Sequence, residues 1–221
     1  MPAALVTGAA SGIGRATAER LRADGYEVFG VDLHAADFTA DLTTREGNAG
    51  AVVGALEAHG RLDLVVANAG VQHVAPVREF SEDRWDQIVA LLLTSPFLLA
   101  KHAWDALAAS RGSFVVVASA HALVASPYKA AYVAAKHGVL GLVKTLALEG
   151  GEAGIRATAV CPGYVRTPLV EGQIPDQAKA HGISEAEALP RFTRTTIGMP
   201  NFSCLPGAVY SCIESGVRPF V

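Results

Sequence analysis

Short hydrophobic runs alternate with longer stretches of mixed polarity over most of the chain. The runs are nearly continuous, which is typical of strands in a parallel sheet that is covered on both faces. They predict strands at 3–7, 26–32, 62–68, 113–118 and 155–160. Helices are predicted after the first glycines to about 24, at about 45–59, from about 81, and at about 129–149. Pro96 predicts a kink or break in the third helix. The alternation predicts an α/β fold, a Rossmann-type doubly wound parallel sheet in a single domain.

The end of the chain has a different composition. From Pro190 onwards it carries four of the prolines, two of the three cysteines and a single acidic residue, Glu214, and its helical periodicity is weak. We interpret 1–189 as the domain proper, and 190–221 as a divergent C-terminal segment of that domain. The change in composition suggests a shifted reading frame or an altered C-terminus.

Composition narrows the class of protein. The 221 residues are 51% hydrophobic and 18% charged, which is enough for one buried core. The net charge of -3 and the lack of a basic block give no reason to expect a nucleic-acid partner. The most apolar stretch, 88–100, is interrupted by Thr94, Ser95 and Pro96, so no membrane span is expected. The N-terminus does not resemble a signal peptide, so we expect a soluble, cytoplasmic protein.

The cysteines give no sign of a metal site or a disulfide framework. Cys161, Cys204 and Cys212 form no CxxC motif and no cluster with histidines. We expect no metal, and we interpret the cysteines as small buried hydrophobic residues.

A glycine-rich loop joins the first predicted strand to the first helix. Gly8 permits a tight turn, Gly12 lets backbone N–H groups approach a pyrophosphate, and Gly14 lets the helix pack closely on the strand. The helix N-terminus that follows favours an anion. Such a loop is a weak signal alone, but the first β–α junction is the context that a dinucleotide site requires.

Asp32 ends the second predicted strand, where an acidic residue accepts hydrogen bonds from the ribose hydroxyls of adenosine. A carboxylate there repels the 2′-phosphate of NADP, and no arginine adjoins Asp32 in sequence. The sequence therefore favours NAD, although an aspartate in an ordinary turn remains an alternative for this single residue.

Tyr132 and Lys136 lie four residues apart in a predicted helix and so share one face. A free tyrosine has a pKa near 10, and a neighbouring ammonium is expected to lower it toward the range of an acid/base catalyst. Ser119 ends the preceding strand, and Asn68-Ala69-Gly70 ends another. The ends of these strands line the ligand crevice of a doubly wound sheet.

Together these motifs resemble the short-chain dehydrogenase/reductase family over roughly 3–189, in the family's order and spacing. They are Thr7-Gly8-(x)3-Gly12-x-Gly14, Asn68-Ala69-Gly70, Ser119, Tyr132-(x)3-Lys136 and Pro162-Gly163. The resemblance implies that Tyr132 is the acid/base, that Lys136 lowers its pKa and holds the nicotinamide ribose, and that Ser119 positions the substrate.

The same resemblance implies an NAD site, a mobile lid and an oligomer. Asp41 and Leu42 are implied beside the adenine, and Thr167 at the nicotinamide carboxamide. The lid is implied at about 167–189, and a homo-oligomer, either a dimer or a tetramer, is expected. The implied cofactor contacts are Gly8, Ser11, Gly12, Ile13, Gly14, Asp32, Asp41, Leu42, Asn68, Ala69, Gly70, Tyr132, Lys136, Pro162, Gly163, Val165 and Thr167.

A finer similarity links 71–76, 119–129, 161–170 and 173–179 to the D-3-hydroxybutyrate dehydrogenases of that family. It implies that Ser119 and Tyr132 meet the reacting oxygen of the substrate. It also implies a small carboxylate held by Gln72, His121, Lys129 and Gln173. An amide, an imidazole and an ammonium that converge do suit a carboxylate. Taken singly, however, Lys129 is most simply a solvated lysine at a helix start, and His121 a loop residue.

Two departures from the family pattern keep alternatives open. Leu92 occupies the place of an asparagine in the long helix, and leucine cannot join a proton relay. The family's last helix and strand are not recognisable after about Leu189. The alternatives are a dehydrogenase for another small alcohol or ketone, and an NAD-binding protein with weak catalysis. A Ser119–His121 hydrolase is remote, because no GxSxG elbow surrounds Ser119.

Overall fold

The computed structural model describes residues 1–163, 165 and 167–188, together with the backbone of residues 210–211. The rest of the divergent segment, including Cys204 and Cys212, lies outside the described residues. The remaining cysteine, Cys161, is buried, as the sequence predicts.

Within the described residues the molecule is built on one sheet of seven parallel strands in the order β3-β2-β1-β4-β5-β6-β7. The predicted parallel, doubly wound sheet is confirmed. The strands are β1 Ala3–Thr7, β2 Glu27–Asp32, β3 Phe38–Thr39, β4 Leu64–Ala67, β5 Ser113–Val117, β6 Arg156–Val160 and β7 Tyr210–Ser211.

Helices connect the strands. They are α1 Gly12–Ala23, α2 Arg45–His59, α3 Glu82–Val89, α4 Ser95–Ser110, α5 Ala130–Gly150, α6 Pro168–Glu171 and α7 Ile174–His181. A π-helical turn, Ala90–Thr94, joins α3 to α4, and 3₁₀ turns occupy Val77–Glu79 and Ala120–Ala122.

The core lies on both faces of the sheet. The larger cluster packs α2, α4 and α5 against one face around Leu5, Val65 and Phe114, and these three side chains are at most 1% exposed. The smaller cluster packs Ala18 of α1 against the other face. Every residue of β1 is buried, which explains why its sequence is apolar throughout. Burial of each large apolar side chain contributes about 1.5–3 kcal/mol.

The strand order places the crevice where the chain changes direction. From β1 the chain runs outward through β2 to β3, and β4 then pairs with the other side of β1. Ligands of doubly wound sheets bind at this switch point, beyond the carboxyl ends of the strands. The glycine loop follows β1 and Asn68 follows β4, so both lie at this point.

Three features differ from the sequence prediction. The third helix is interrupted by the π-helical turn Ala90–Thr94, which lies just before the predicted break at Pro96, and Pro96 falls in the first turn of α4. The two-residue β3 was missed because Phe38–Thr39 is too short to show a pattern. The tail was expected to lack a recognisable strand, yet Tyr210–Ser211 pairs in parallel with β6.

Candidate active site

The glycine loop is shaped by close approach of the backbone. Gly8 and Gly12 have φ angles of 67° and 53°, which side chains rarely adopt. A Cβ on Gly14 would lie 2.0 Å from the carbonyl oxygen of Gly8 and 2.4 Å from Nδ2 of Asn68. Helix α1 therefore packs on the loop through a position that accepts only glycine.

The N-terminus of α1 is open to an anion. Ser11 is the N-cap residue, but its side chain makes no capping hydrogen bond, and the first turn carries no acidic residue. The positive end of the helix and its N–H groups are thus not neutralised by the protein's own carboxylates. A cavity of about 610 Å³ borders this point, and its lining includes Ser11, Gly12, Ile13, Val165 and Thr167.

The ends of β1 and β4 are tied together by side-chain hydrogen bonds. The hydroxyl of Thr7 accepts from the backbone N–H of Asn68 at 2.9 Å and of Ala69 at 3.0 Å. Nδ2 of Asn68 donates to the carbonyl of Thr7 at 2.9 Å. The Asn68 amide thus fixes the loop beside Gly14, while Gly70 is exposed.

Asp32 lies at the end of β2, as predicted, and points toward the glycine loop. Its carboxylate accepts from the backbone N–H of Ala10 at 3.0 Å and of Leu33 at 2.7 Å. Asp41 is exposed and Leu42 is buried just beyond the same strand end. The carboxylate is therefore held in place by backbone donors.

Tyr132 and Lys136 share one face of α5. Nζ of Lys136 lies 5.6 Å from the centroid of the Tyr132 ring and donates to the carbonyl of Val117 at 2.7 Å. The lysine is only 5% exposed, and burial lowers its pKa to about 8, although the nearby Cys161 opposes this shift. The bond to Val117 anchors the ammonium at the end of β5.

The pKa of Tyr132 departs from the sequence prediction. Burial raises it above the ordinary value near 10, and a hydrogen bond with Ser119 opposes this only in part. The net shift is therefore opposite to the predicted lowering, because desolvation of the phenolate is its largest cause.

Ser119, His121 and Ser126 form a buried chain of hydrogen bonds next to Tyr132. Oγ of Ser119 lies 3.3 Å from Nδ1 of His121, and Nε2 of His121 lies 2.8 Å from Oγ of Ser126. The rings of His121 and Tyr132 meet edge to face, with their centroids 5.9 Å apart. The carbonyl of Pro162 accepts from Ala120 at 2.8 Å and holds this turn against the loop after β6. His121 is thus part of the site and not a solvated loop residue.

Ser126 was missed in the sequence. A serine five residues after a histidine carries no periodic signal, and only the fold of the 119–126 loop brings the two together.

The pKa of His121 is lowered to about 4, first by burial and then by the charges of Lys129 and His137. The imidazole is therefore neutral near neutral pH. One ring nitrogen donates while the other accepts, and so His121 links two hydroxyl groups.

Lys129 is buried in this region, being 3% exposed. Burial lowers its pKa to about 8, and its charge is felt at His121. The simplest sequence interpretation, a solvated lysine at a helix start, is therefore wrong. At pH 7 most of the lysine still carries its positive charge, held away from water.

The two glutamines of the predicted substrate site differ. Nε2 of Gln72 is buried without a hydrogen-bond partner, so its amide retains an unused donor. Nε2 of Gln173 donates to the carbonyl of Leu169 at 2.8 Å and braces the short helix α6. The structure thus leaves the Gln72 amide available and engages the Gln173 amide with α6.

The beginning of the predicted lid lies against the glycine loop. Thr167 caps α6, its hydroxyl accepting from Val170 at 3.4 Å. Its Cγ2 would be 3.3 Å from a Cβ at Gly12. His181, at the end of α7, contacts the ring of Tyr128 edge to face at 5.0 Å. Helices α6 and α7 therefore extend from the glycine loop to the segment that precedes Lys129.

Leu92 lies in the π-helical turn and is buried with Ile88 against Ala131 and Ala135 of α5. Its methyl groups also face Gly70. The position that was expected to weaken a proton relay is filled by apolar packing on the catalytic face of α5. π turns are rare and often occur at functional sites.

Across residues 1–163, 165 and 167–188, no group of three or more His, Cys, Asp or Glu side chains is placed to hold a metal ion. No helix of this part has the length and apolar character that crossing a membrane requires.

Comparison with known proteins agrees with this geometry. The chain matches the short chain dehydrogenase family over residues 2–178. A D-beta-hydroxybutyrate dehydrogenase of Rhizobium meliloti is 40% identical over 206 residues, which are 84% of this chain and 80% of that protein. A D-beta-hydroxybutyrate dehydrogenase of Cupriavidus necator is 41% identical over 203 residues, 84% of this chain and 79% of that protein.

A solved structure points the same way. A 4-hydroxyisoleucine dehydrogenase complexed with NADH is 28% identical and superposes with a TM-score of 0.71, over 80% of this chain and 82% of its own. Further relatives are named as dehydrogenases of other alcohols. The protein is an oxidoreductase that uses a nicotinamide cofactor, and it belongs to the short-chain dehydrogenase family.

Proposed function

We propose that the protein oxidises (R)-3-hydroxybutyrate to acetoacetate with NAD⁺ and catalyses the reverse reduction. The observation that carries the proposal is a buried cation, Lys129, whose charge reaches His121. His121 in turn is hydrogen-bonded to Ser119 beside Tyr132. An anionic group and a reacting hydroxyl on one small molecule fit this arrangement. The names of two relatives support the same substrate.

The residues present fit a dinucleotide. The open N-terminus of α1 suits the pyrophosphate, and Asp32 is held by two backbone donors at the place for the adenosine ribose. Its carboxylate would repel a 2′-phosphate, which supports NAD over NADP. When bound, NAD⁺ supplies the hydride acceptor and a positive charge near the phenol.

In the oxidation Tyr132, as phenolate, takes the proton of the substrate hydroxyl. The carbon that bears this hydroxyl gives up its hydrogen as a hydride. The hydroxyl of Ser119 hydrogen-bonds to the same substrate oxygen, which becomes the ketone oxygen. Lys136 stabilises the phenolate electrostatically from its fixed place on the carbonyl of Val117. Burial raises the pKa of Tyr132, so the phenolate needs the neighbouring positive charges to form.

The carboxylate of the substrate is assigned to Lys129 and the unpaired amide of Gln72. His121 lies beside them and is bonded to Ser119 and Ser126. A buried ammonium binds an anion more strongly than an exposed one because water competes less. Gln173 supports this site indirectly, since its amide braces α6 of the lid. This set separates a hydroxy acid from a neutral alcohol.

The test is to mix the protein with NAD⁺ and (R)-3-hydroxybutyrate and follow NADH by its absorbance, with Tyr132→Phe beside the wild type. We expect turnover to fall by a factor of about 10²–10⁴ in the variant, because general acid–base catalysis contributes about that much. NADH affinity should stay within about threefold. If the wild type is active and Tyr132→Phe retains that activity, the role assigned to Tyr132 is wrong.

The methyl ester of the substrate tests the second candidate, a dehydrogenase for another small alcohol or ketone. That candidate is favoured by the relatives named for other alcohols. A protein that uses the ester as well as the acid has no carboxylate site. NADH binding without turnover on either compound would favour a weakly catalytic NAD-binding protein, the alternative that Leu92 raises.

A further inference from the structure

A fully buried asparagine lies outside the residues considered so far. Asn48, in the first turn of α2, is 0% exposed, and all of its amide groups are used. Nδ2 donates to the carbonyl of Leu42 at 2.8 Å and to that of Thr44 at 2.6 Å, while Oδ1 accepts from the hydroxyl of Ser95 at 2.7 Å. Asparagine is a poor helix former, so its presence here indicates that these hydrogen bonds stabilise more than the helix itself.

Asn48 holds the turn Asp41–Thr44, which is fastened in two further ways. The Thr44 hydroxyl donates to the carbonyl of Asp41 at 2.8 Å and caps α2 by accepting from Gly47 at 3.0 Å. The carbonyl of Asp41 also lies where a Cβ on Gly47 would be, at 2.1 Å. The turn is therefore held through its backbone carbonyls, while the Asp41 residue itself is exposed.

This turn lies beside the end of β2. The backbone N–H of Ala40 donates to the carbonyl of Asp32 at 3.0 Å, so Asp41 follows just beyond the end of β2, on the side of the edge strand β3. A dinucleotide with its pyrophosphate at α1 and its ribose at Asp32 extends its base in that direction.

We propose that Asn48 is a positioning residue for the adenosine end of the cofactor. The inference rests on the proposed NAD site. Asn48 does not touch the cofactor, but it keeps the turn Asp41–Thr44 in the shape that receives the base. The entropy lost in ordering that turn is therefore lost during folding, and not when the cofactor binds.

Ser95 provides a matched control. Both Asn48→Ala and Ser95→Ala remove the hydrogen bond between α2 and α4. Only Asn48→Ala also removes the two donations to the Asp41–Thr44 turn, so the difference between the two variants isolates the hold on the turn.

The experiment measures the Kd of two fragments by their competition with bound NADH, whose fluorescence reports its displacement. ADP-ribose contains the adenosine, and NMN⁺ contains only the nicotinamide half. In Asn48→Ala we expect the Kd of ADP-ribose to rise about tenfold and that of NMN⁺ to change less than about twofold. In Ser95→Ala both should stay within about threefold. The KM for NAD⁺ should rise in Asn48→Ala more than kcat falls.

Equal losses for the two fragments would mean that Asn48 has a general structural role and would overturn the proposal. Unchanged ADP-ribose affinity in a folded Asn48→Ala would also overturn it. If Asn48→Ala does not fold, Thr44→Val loosens the same turn from the surface and must show the same preference for ADP-ribose, by about threefold. Failure of the wild type to bind NADH would instead overturn the proposed function, and this inference with it.

Discussion

The two ends of the crevice are shaped by different kinds of chemical group. At the glycine loop the structure is made by the backbone: Gly14 packs against the carbonyl of Gly8, and Asp32 is held by two N–H groups. At the other end it is made by buried polar side chains, among them Lys129, whose pKa is lowered to about 8, and His121, whose pKa is lowered to about 4.

The difference concerns how each end is stabilised. The polar groups around Asp32 and Asn68 are hydrogen-bonded within the protein. The end at the glycine loop, to which we assign the cofactor and which we call the cofactor end, is therefore formed before any ligand binds. The other end, to which we assign the substrate and which we call the substrate end, contains a desolvated ammonium, Lys129, and an unpaired amide, Gln72. Groups that are costly to bury are candidates for binding, because a ligand with a complementary charge or hydrogen-bonding group relieves the cost.

The largest effect is expected from a methyl group at the cofactor end. In Gly14→Ala the new Cβ meets the Gly8 carbonyl and the Asn68 amide, which are both fixed. We expect the free energy of unfolding to fall by about 3 kcal/mol. NADH affinity should fall more than tenfold. Chemical denaturation and fluorescence titration measure the two.

Gly141→Ala on α5 is the matched control. A Cβ at Gly141 meets nothing within 4 Å, and alanine favours a helix over glycine by about 0.5–1 kcal/mol. This variant should therefore be slightly more stable than the wild type. If Gly14→Ala behaves like Gly141→Ala, the rigid backbone description of the cofactor end is wrong.

The next largest effect is expected at the substrate end, where a substitution should lower activity but raise stability. In Lys129→Met the buried charge is lost, so kcat/KM for (R)-3-hydroxybutyrate should fall about 100-fold, as for the loss of a charge-assisted hydrogen bond. The free energy of unfolding should rise by about 1–2 kcal/mol, since the lowered pKa shows that folding disfavours the ammonium. Steady-state kinetics and denaturation test both parts.

The methyl ester and NADH are the controls for Lys129→Met. Neither requires a cation at this position, so kcat/KM for the ester and the Kd of NADH should remain within about threefold. A loss of NADH affinity as large as the loss of activity would show that the two ends of the crevice are not independent.

The cofactor end was the easier one to predict from sequence. Turns with positive φ need glycine, and parallel sheets need apolar runs, so Gly8, Gly12, Gly14 and the central strands β1, β4 and β5 were found at the correct places. These are local rules that link residue type to backbone conformation.

The substrate end depends on tertiary environment, which the sequence does not show. Burial turned Lys129 from an apparent surface residue into a desolvated one, and it reversed the expected pKa shift of Tyr132. The sequence also does not show that the Gln173 amide donates to the carbonyl of Leu169 in α6. Ser126 and His121, 5 residues apart, are joined by the fold, and no periodicity connects them.

A smaller effect is expected on stability in mild acid. The pKa of His121 lies at about 4 in the folded protein and near 6.5 when unfolded. The unfolded chain therefore binds the proton first, so stability is complete above 6.5 and is lost as the pH falls toward 4. Between pH 6.5 and 5 this amounts to about 2 kcal/mol. Denaturation curves of wild type and His121→Asn at both pH values should differ by this slope.

His102→Gln, at an exposed position on α4, is the control for the acid experiment. It should keep the slope of the wild type, because it leaves His121 in place. A slope in His121→Asn equal to that of wild type would mean that the buried imidazole is not the group that titrates.

The smallest effect concerns the charge of Lys129 itself. Its pKa of about 8 means that the ammonium is present below pH 8 and is lost as the pH rises further. Butyrate, which has the carboxylate but no hydroxyl to react, should bind with a nearly constant Ki from pH 6.5 to 7.5. Above pH 8 the Ki should rise toward tenfold per unit, because each unit removes about 90% of the charged lysine. Butyramide, the neutral amide, should show no such rise. Equal pH profiles for the two compounds would place the anion-binding charge elsewhere, whereas a rise for butyrate alone would separate the titrating substrate end from the backbone-built cofactor end.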